Sequence, residues 1–393
     1  MIAVIADDFT GAAELGGIGW RHGLSAELAD WSALRRIPVN EPDLLCVNTD
    51  SRNCRPPVAA ARAAAVARAL RKRGVARIYK KVDSVLRGPV AAELEAVRRA
   101  LGLKRALLVP ANPSAGRVVV AGRYLIHGTP LDQTDFRFDP EHPRLTALVK
   151  ALLGGNGALP IELRPRRSPA NTLPDAGIIV GEAARPADVR HWAGVLDDAT
   201  LPAGAAEFFG AWLESLGFRR ALSAAVSACR GRTLFVCGSA SAGTREFVRA
   251  ARASGVPVFS LPARGGRLGR RMMARQQARI EKALCDRGCA VLASPSASLR
   301  DRRRARRLPQ QLAAAGAALV TRGCAERICA EGGATAAALA ARLRWRRLRV
   351  VGELAPGVVA LAPGRAATPV LVVKPGSYRW PESVRTGALS ELA

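Results

Sequence analysis

The segment that most constrains the fold of this chain is its first fourteen residues, MIAVIADDFTGAAE. An apolar run from Met1 to Ala6 ends at two carboxylates, Asp7 and Asp8, and an alanine-rich segment that favours a helix follows. A buried strand that ends in acids and leads straight into a helix is how α/β enzymes place chemistry at the carboxyl edge of a parallel sheet. The alternative is a strand end whose aspartate serves only as a helix cap.

The size and composition of the chain predict a large core and two domains. The chain has 393 residues, of which 49% are hydrophobic, and a chain of this length exceeds the usual size of one domain. No apolar run approaches the roughly 18 residues of a membrane-spanning helix, and we expect no signal peptide. Eight scattered cysteines without a Cys-x-x-Cys pair, and four histidines, argue against a zinc site and favour a reducing, cytoplasmic location.

The net charge of +28 suggests nucleic acid as a partner, but the composition argues against it. Arginine supplies most of the basic residues within a general excess of alanine, glycine, proline and arginine, and aromatic residues make up only 5%. No basic run is interleaved with aromatic residues, as stacking on bases would require. The densest basic cluster, residues 300–307, is interpreted as a solvated connection or helix face. A basic surface also attracts small anions.

Segments typical of strands alternate with segments typical of helices along the whole chain. Strands are predicted at residues 1–6, 44–48, 77–82, 105–109, 177–180, 233–237, 256–261, 290–293, 318–321, 349–351 and 370–374. Helices are predicted at residues 11–22, 57–73, 90–101, 186–196, 207–230, 267–287 and 335–343. The region 123–175 has weaker periodicity, which indicates a lid or an irregular insertion. The sequence therefore predicts two open α/β domains with mainly parallel sheets, residues 1–230 and 231–393.

Polar residues follow four of the predicted strands in the first domain. They are Asp7, Asp8, Thr10, Asp50, Arg52, Lys80, Lys81, Asp83, Ser84, Arg87 and Asn112. In a parallel sheet these strand ends share one edge, and this set of groups suits a small, anionic, polyhydroxylated ligand. Arginine binds a carboxylate through its planar fork, carboxylates and amides bind hydroxyls, and one aspartate could take a proton from a reacting hydroxyl. Each residue also has a structural alternative, such as a turn residue or an exposed charge.

The second domain carries small, glycine-rich turns between strands and helices. The first contains Ser239 and Ser241, the second consists of Glu331, Gly332, Gly333, Ala334 and Thr335, and the third contains Gly376. None is a Walker A loop or a dinucleotide fingerprint. Backbone amides and hydroxyls at such turns can bind phosphate at a helix N-terminus, so together they favour a nucleotide site.

Several longer motifs resemble those of the four-carbon acid sugar kinase family, formerly a domain of unknown function. In the first half they are ADDFTGA at 6–12, DSRN at 50–53, YKKVDSVLRG at 79–88, PANPSAGR at 110–117 and TDFRFDPEHP at 134–143. In the second half they are CGSAS at 237–241, GGAT at 332–335, GELAPGV at 352–358 and KPG at 374–376. Members of the family often carry an acidic residue where this chain has Ala334.

The resemblance implies a substrate domain followed by an ATP domain, with the active site in the cleft between them. It implies ATP-dependent phosphorylation of the terminal hydroxyl of threonate, erythronate or 3-oxo-tetronate, with the nucleotide bound by Ser239 or Ser241, the turn at 332–335 and Gly376. Mg²⁺ should bridge the ATP phosphates without a strong protein site of its own. A homodimer is the default expectation for the assembly.

The expected chemistry needs positioning and charge neutralisation more than covalent catalysis. We assign Asp8 as the base or hydroxyl-orienting residue, with Asp83 as the second choice, and expect strand alternation to turn only one of Asp7 and Asp8 toward the ligand. Arg52, Lys81 and Arg87 are candidates for holding the substrate carboxylate or the transferred phosphoryl group. One alternative is another small-molecule enzyme of the same architecture, such as a different acid-sugar kinase or a ligase. The other is a non-catalytic protein that binds anions or nucleic acid on the same fold.

Overall fold

The computed structural model describes residues 1–36, 42–139, 141–154, 160–166, 168–169, 173–221, 231–239, 241–261, 270–294, 302–364, 369–376, 378–382 and 384. The chain divides into two compact units, Met1–Leu222 and Ser223–Ala393. The division lies a few residues before the predicted position.

The first unit is built on an eight-stranded, fully parallel sheet. Its strands are β1 (Ile2–Ala6), β2 (Ala26–Asp30), β3 (Leu44–Asn48), β4 (Arg77–Lys81), β5 (Arg105–Val109), β9 (Ile161–Arg164), β10 (Gly177–Gly181) and β11 (Thr200–Gly204). Their order across the sheet is β2-β3-β1-β4-β11-β5-β10-β9. Every residue of β1 and β3 is buried, as expected for strands with helices over both faces. The central position of β1 places the end of the opening segment between the ends of β3 and β4.

Among the described residues of this unit, the helices are α1 (Phe9–Arg21), α2 (Pro56–Lys72), α3 (Val90–Leu101), α4 (Val149–Leu152), α5 (Pro186–Gly194) and α6 (Ala206–Ser215). Helix α6 fixes the end of β4 through an aromatic cluster, in which Tyr79 packs against Phe208, Phe209 and Trp212. The Tyr79 hydroxyl donates to the Ala205 carbonyl at 2.9 Å. A Cβ on Gly204 would lie 2.2 Å from the carbonyl oxygen of Val109, so glycine is required where these strands meet.

The predicted irregular region of the first unit contains an ordered small sheet. Strands β6 (Arg117–Val120), β7 (Arg123–Ile126) and β8 (Thr129–Pro130) form an antiparallel meander, and short 3₁₀ turns continue to Phe138. The Tyr124 hydroxyl in β7 donates a hydrogen bond to the backbone carbonyl of Ser84. This bond ties the insertion to the segment that follows β4.

The second unit has a seven-stranded mixed sheet. Its strands are β12 (Thr233–Cys237), β13 (Val258–Ser260), β14 (Cys289–Ala293), β15 (Arg327–Glu331), β16 (Arg347–Ala355), β17 (Val358–Pro363) and β18 (Val370–Lys374). In the order β13-β14-β12-β15-β18-β17-β16, all neighbours are parallel except the pairs that include β17. The helices are α7 (Ala242–Ala253), α8 (Arg270–Arg287), α9 (Arg302–Thr321) and α10 (Gly333–Arg342).

The α/β class and the predominantly parallel sheets predicted from the sequence are confirmed, but one predicted strand is wrong. Residues 318–321 form the last turn of α9, and the strand of this region is β15. A short apolar run has the same pattern in a buried helix and in a buried strand, which is why the sequence misled here. Strands β2, β6, β7, β8, β9, β11, β15 and β17 were not predicted. Of the predicted helix at 207–230, the described part is helical only from Ala206 to Ser215, and 222–230 lie outside the described residues.

No helix in the described part of the chain is both long enough and apolar enough to cross a membrane.

Candidate functional site

The polar residues predicted at the sheet edge of the first unit do come together. Strands β3, β1 and β4 are adjacent and parallel, with Asn48, Ala6 and Lys81 in register at their carboxyl ends. The segments that follow them carry Asp7, Asp8, Arg52, Asp83 and Arg87, which we call the strand-end cluster.

Arg52 is the centre of the strand-end cluster because it contacts three carboxylates. Its Nε donates to Asp7 Oδ2 at 2.6 Å and its Nη2 to Asp7 Oδ1 at 3.1 Å. The same Nη2 lies 2.8 Å from Asp8 Oδ1, and Nη1 lies 3.5 Å from Asp83 Oδ1. Burial by itself would lower the pKa of Arg52, but the three carboxylates raise it well above its usual value. The guanidinium therefore stays charged and holds three acids in one place.

Asp83 connects Arg52 to the second arginine of the cluster. Arg87 donates from Nε to Asp83 Oδ2 at 2.9 Å and from Nη2 to Asp83 Oδ1 at 2.8 Å. Burial by itself would raise the pKa of Asp83, but Arg87 and Arg52 hold it well below its usual value. Burial would likewise raise the pKa of Asp7, but the charge of Arg52 lowers it below its usual value.

Asp8 is both a helix cap and a member of the cluster. Its Oδ1 accepts from the Gly11 amide at 2.8 Å and its Oδ2 from the Thr10 hydroxyl at 2.9 Å, the geometry of an N-cap for α1. The Asp8 side chain is 17% exposed, whereas that of Asp7 is 4% exposed. The predicted cap is present, Asp8 also contacts Arg52, and Asp8 is the more accessible of the two aspartates.

Asp50 lies beside the cluster in an unusual backbone conformation. It is exposed, and its φ of 47° places a non-glycine residue in the left-handed region, which costs energy unless neighbours fix it. The Asp50 amide donates to Asn48 Oδ1 at 3.0 Å, and Arg62 donates to the Asp50 carbonyl at 2.8 Å. These bonds fix the backbone of Asp50 just after the end of β3, where partial burial raises the pKa of its carboxyl group.

The two adjacent lysines, Lys80 and Lys81, lie on opposite faces of β4 and are both buried. Lys80 Nζ lies 2.9 Å from Glu93 Oε2 on α3, whereas Lys81 Nζ lies 3.4 Å from Glu14 Oε2 on α1. Both therefore anchor helices to the central strand. A Cβ on Gly11 would lie 3.5 Å from Lys81 Nζ, and the charge of Lys80 adds to that of Arg52 in lowering the pKa of Asp7 against burial.

The last two predicted positions, Ser84 and Asn112, both bond to Arg117. The Ser84 hydroxyl accepts a hydrogen bond from Arg117, and Asn112, which follows β5, pairs through its backbone with the same Arg117. Because β11 lies between β4 and β5, Asn112 is separated from the strand-end cluster by one strand.

Several residues within 136–144, which were not predicted as part of the site, contact the strand-end cluster and the segments beside it. Asp139 Oδ2 accepts from Arg87 Nη1 at 2.9 Å, and the Phe136 ring lies 5.6 Å from the Arg87 guanidinium carbon. His142 Nε2 lies 2.7 Å from Asn53 Oδ1, and Arg144 donates to the Leu86 carbonyl at 2.9 Å. The motif at 134–143 was the available signal, but sequence alone does not show which strand end it bonds to.

In the second unit the three predicted turns also lie side by side. They follow β12, β15 and β18, which are adjacent and parallel, with Cys237, Glu331 and Lys374 in register at their ends. We call the segments 238–241, 332–335 and 374–376 the glycine-turn cluster. Ser241 caps α7 by accepting from the Thr244 amide at 3.2 Å, and Gly332 is the N-cap of α10. Two helix N-termini therefore begin at this sheet edge, a pattern that favours anions.

Close packing within the glycine-turn cluster explains two of its glycines. A Cβ on Gly238 would lie 2.1 Å from Thr335 Oγ1, and a Cβ on Gly376 would lie 2.9 Å from Ser239 Oγ. The Ser239 hydroxyl also donates to the Gly376 carbonyl at 3.4 Å. Ala334 is exposed on the first turn of α10. The two glycines are thus required by the packing of the turns against one another.

The described residues hold no group of three or more histidine, cysteine, aspartate or glutamate side chains arranged for a metal ion. Magnesium commonly binds through nucleotide phosphates and water with few protein ligands. The hydroxyls and amides of the glycine-turn cluster suit the phosphates of such a complex.

The fold is that of a two-unit α/β protein. One unit carries the strand-end cluster of acidic and basic residues, and the other carries the glycine-turn cluster. Residues 2–205 match the family model of a sugar-binding N-terminal domain, and residues 234–378 match that of a nucleotide-binding C-terminal domain. The chain belongs to the four-carbon acid sugar kinase family.

Two characterised relatives show the range of this similarity. A D-threonate kinase of Bordetella bronchiseptica is 38% identical over 221 residues, which are 52% of this chain and 52% of the relative. A D-erythronate kinase of Heliobacterium modesticaldum is 31% identical over 266 residues, 63% of this chain and 60% of the relative. In both cases the chain spans less than two thirds of the relative's length.

Solved structures share the fold over nearly the whole chain. A protein of Salmonella typhimurium LT2 superposes with a TM-score of 0.78 at 21% identity and covers 98% of both chains. A Bordetella bronchiseptica protein, crystallised with bound citrate as a domain-swapped dimer, has a TM-score of 0.50 at 27% identity and covers 100% of this chain and 98% of its own.

Proposed function

We propose that this chain is an ATP-dependent kinase that phosphorylates the terminal hydroxyl of a four-carbon acid sugar of the threonate, erythronate or 3-oxo-tetronate type. The observation that carries the proposal is the strand-end cluster, in which Arg52 holds Asp7, Asp8 and Asp83 within 3.5 Å. The names of the two relatives support the substrate class.

A tetronate presents one carboxylate and several hydroxyls, and the first unit offers a partner for each. The accessible carboxylates of Asp8 and Asp50 can accept hydrogen bonds from hydroxyls, while the forks of Arg52 and Arg87 attract the substrate carboxylate. Both arginines already bind aspartates in the described arrangement. The substrate would therefore join an existing charge network, which favours pre-organised geometry over a large rearrangement.

In the proposed reaction the terminal hydroxyl oxygen attacks the γ-phosphorus, the bond to the leaving ADP oxygen breaks, and the hydroxyl proton passes to a carboxylate. Asp8 is the candidate acceptor because it is the more exposed aspartate of the pair and keeps a fixed orientation through Thr10 and Gly11. Asp83 is occupied by two arginines, which favours a positioning role for it.

We assign the nucleotide to the glycine-turn cluster, with Ser239, Ser241, Gly332, Gly333, Ala334, Thr335 and Gly376 as its contacts. The close packing at Gly238 and Gly376 and the two helix N-termini support this assignment. Magnesium, when bound to the phosphates, would neutralise the charge that develops during transfer.

A coupled assay of ADP release tests the proposal, with a panel of four-carbon sugar acids that differ in stereochemistry and oxidation state. We expect turnover with at least one tetronate and none with neutral sugars. Salt-dependent binding of duplex nucleic acid without any ATP-dependent turnover would instead support the non-catalytic alternative. Crystals soaked with an ATP analogue and the active tetronate would identify the hydroxyl that faces the γ-phosphate.

We also propose that the kinase acts as a homodimer. The domain-swapped dimer of the Bordetella bronchiseptica structure supports this assembly, and two-fold dimers are the commonest closed assembly. Light scattering after size-exclusion chromatography should give twice the mass of the chain, and a monomeric mass across the working concentrations would contradict the proposal.

A further inference from the structure

A buried ion pair joins two of the three turns in the glycine-turn cluster. Lys374 Nζ lies 2.8 Å from Glu331 Oε1, and each side chain is 1% exposed. The two residues end the adjacent strands β18 and β15, so the pair sits directly beneath the turns that follow both strands.

All three protons of the Lys374 ammonium have acceptors. Besides Glu331, Nζ donates to the Pro375 carbonyl at 2.9 Å and to the Tyr378 carbonyl. An ammonium group has three donors and no acceptor, so Lys374 is saturated in this arrangement. The Lys374 ammonium therefore holds the backbone of the turn that follows β18, and it has no free proton to donate to a phosphate.

Glu331 extends this connection to the third turn. Its Oε1 also accepts from the Thr244 hydroxyl at 2.5 Å, and Thr244 in turn bonds through its amide to the Ser241 cap. The Gly332 amide donates to the Lys374 carbonyl at 2.9 Å. One carboxylate thus holds the start of α7, the turn before α10 and the turn after β18 in a fixed mutual arrangement.

Stability alone is a poor explanation for this glutamate. The desolvation cost of a buried ion pair commonly offsets its attraction, and apolar replacement of such a pair is often neutral or stabilising. In addition, Glu331 Oε2 is buried and has no strong donor among the residues that the structure describes; its neighbour is the Cys237 thiol, a weak donor whose pKa is raised well above its usual value by burial and by the Glu331 carboxylate. A buried carboxylate oxygen with so weak a partner is unfavourable for folding. The buried Glu331 carboxylate is better explained by the arrangement that it imposes on the three turns.

We infer that Glu331 is a positioning residue for the nucleotide: through Lys374 and Thr244 it sets the spacing of the three turns that receive the phosphates. The inference rests on the proposed kinase function and adds to it a residue that need not touch the ligand. It predicts that removal of the Glu331 charge weakens nucleotide binding selectively, with little effect on the acid-sugar site of the other unit.

The test compares the full-length wild type with Glu331→Gln, which keeps the shape but removes the charge. Affinity for the magnesium complex of a non-hydrolysable ATP analogue is measured by calorimetry, and KM for ATP, KM for the tetronate and kcat are measured separately. We expect the dissociation constant and the KM for ATP to rise about tenfold, as for the loss of charge-assisted hydrogen bonds, while the KM for the tetronate stays within about twofold. The matched control is Glu281→Gln, which breaks an exposed pair with Arg322 and should change neither constant.

A second pair of variants covers the case in which Glu331→Gln does not fold. Thr244→Val removes one hydrogen bond to Glu331 and keeps the branched shape, whereas Thr244→Ser keeps the hydroxyl. We expect weaker nucleotide binding in the valine variant and wild-type binding in the serine variant. A purely structural role would instead lower the melting temperature without a selective change in nucleotide affinity.

The outcomes separate the inference from the function on which it rests. If the wild type binds the nucleotide and the folded Glu331 and Thr244 variants bind it equally well, the positioning role is wrong and the kinase proposal stands. If the wild type itself binds no nucleotide, the kinase proposal fails and the inference fails with it.

Discussion

Arg52 and Asp7 form a two-pronged ion pair that joins the ends of strands β3 and β1, with Nε–Oδ2 at 2.6 Å and Nη2–Oδ1 at 3.1 Å. The same guanidinium reaches Asp8 and Asp83. One planar side chain therefore contacts every acid in the strand-end cluster.

We expect the planar guanidinium of Arg52, and not only its charge, to be needed for activity and stability. Arg52→Lys keeps the positive charge but cannot contact three carboxylates at once, so we expect kcat/KM to fall by about 100-fold or more and the unfolding free energy to fall by about 1–3 kcal/mol. Steady-state kinetics and urea unfolding measure the two effects. The control is Arg99→Lys, whose arginine is 70% exposed; equal kinetics in both variants would remove Arg52 from the active site.

The two roles of Asp8 can be separated by substitution. Asn and Ser both cap helices well, so Asp8→Asn and Asp8→Ser should unfold within about 0.5 kcal/mol of each other. Neither can accept the hydroxyl proton, and we expect kcat to fall by about 10²–10⁴-fold. Asp8→Ala should lose activity to the same extent and also about 1 kcal/mol of stability with the cap.

Asp43→Asn is the control for Asp8, because Asp43 is exposed and its carboxylate accepts hydrogen bonds from Ser25 at the start of β3, the end opposite to the strand-end cluster. Near-wild-type turnover in Asp8→Asn would show that the opening segment only caps α1.

The depressed pKa values of Asp7 and Asp83 predict a loss of stability in acid. Their folded pKa values lie below the unfolded value of about 3.9 because Arg87 and Arg52 favour the charged forms despite burial. The stabilisation is therefore complete above that unfolded value and is lost as the pH falls through the folded pKa. Urea unfolding between pH 2.5 and 7 measures it, and Asp83→Asn should flatten the acid limb; an unchanged limb would contradict the ion-pair account.

The assembly of the strand-end cluster was predictable because carboxyl ends of parallel strands share an edge. Polar residues after β1, β3 and β4 in the sequence were enough to place Asp7, Arg52 and Asp83 together. The partners of Lys80 and Lys81 were not predictable, since strand alternation sends neighbouring side chains to opposite faces. Glu93 and Glu14 could be matched to them only once the helices had been placed.

In the second unit, even fewer of the side-chain partners could be predicted from the sequence. Its glycine turns were recognisable as short segments, but the strand before the 332–335 turn was predicted at 318–321, inside helix α9. Glu331 was therefore recognised only as the start of a turn and not as the end of a strand, and its contacts with Thr244 and Lys374 span 87 and 43 residues of sequence. Contacts of that range depend on the order of strands in the sheet, which local patterns do not contain.

The tight packing at Gly238 gives a test of the nucleotide site that leaves the acid-sugar site intact. In Gly238→Ala the new Cβ would lie 2.1 Å from Thr335 Oγ1, so the first turn of α10 must shift. We expect KM for ATP to rise about tenfold or more, with little change in KM for the tetronate. In the control Gly243→Ala the nearest atom is 3.8 Å away, and no kinetic change is expected; equal KM values in both variants would place the nucleotide elsewhere.

Ala334 occupies an exposed position on the first turn of α10, where an added acid has two predictable effects. Ala334→Asp places a negative charge at the positive end of the helix, which should stabilise the unit by about 0.3–1 kcal/mol. If the turn lies near the magnesium–nucleotide complex, the same charge should also lower the magnesium concentration for half-maximal activity. Ala341→Asp, at the other end of α10, should instead destabilise the helix and leave the magnesium dependence unchanged. An identical magnesium dependence in wild type and Ala334→Asp would show that this turn does not approach the metal.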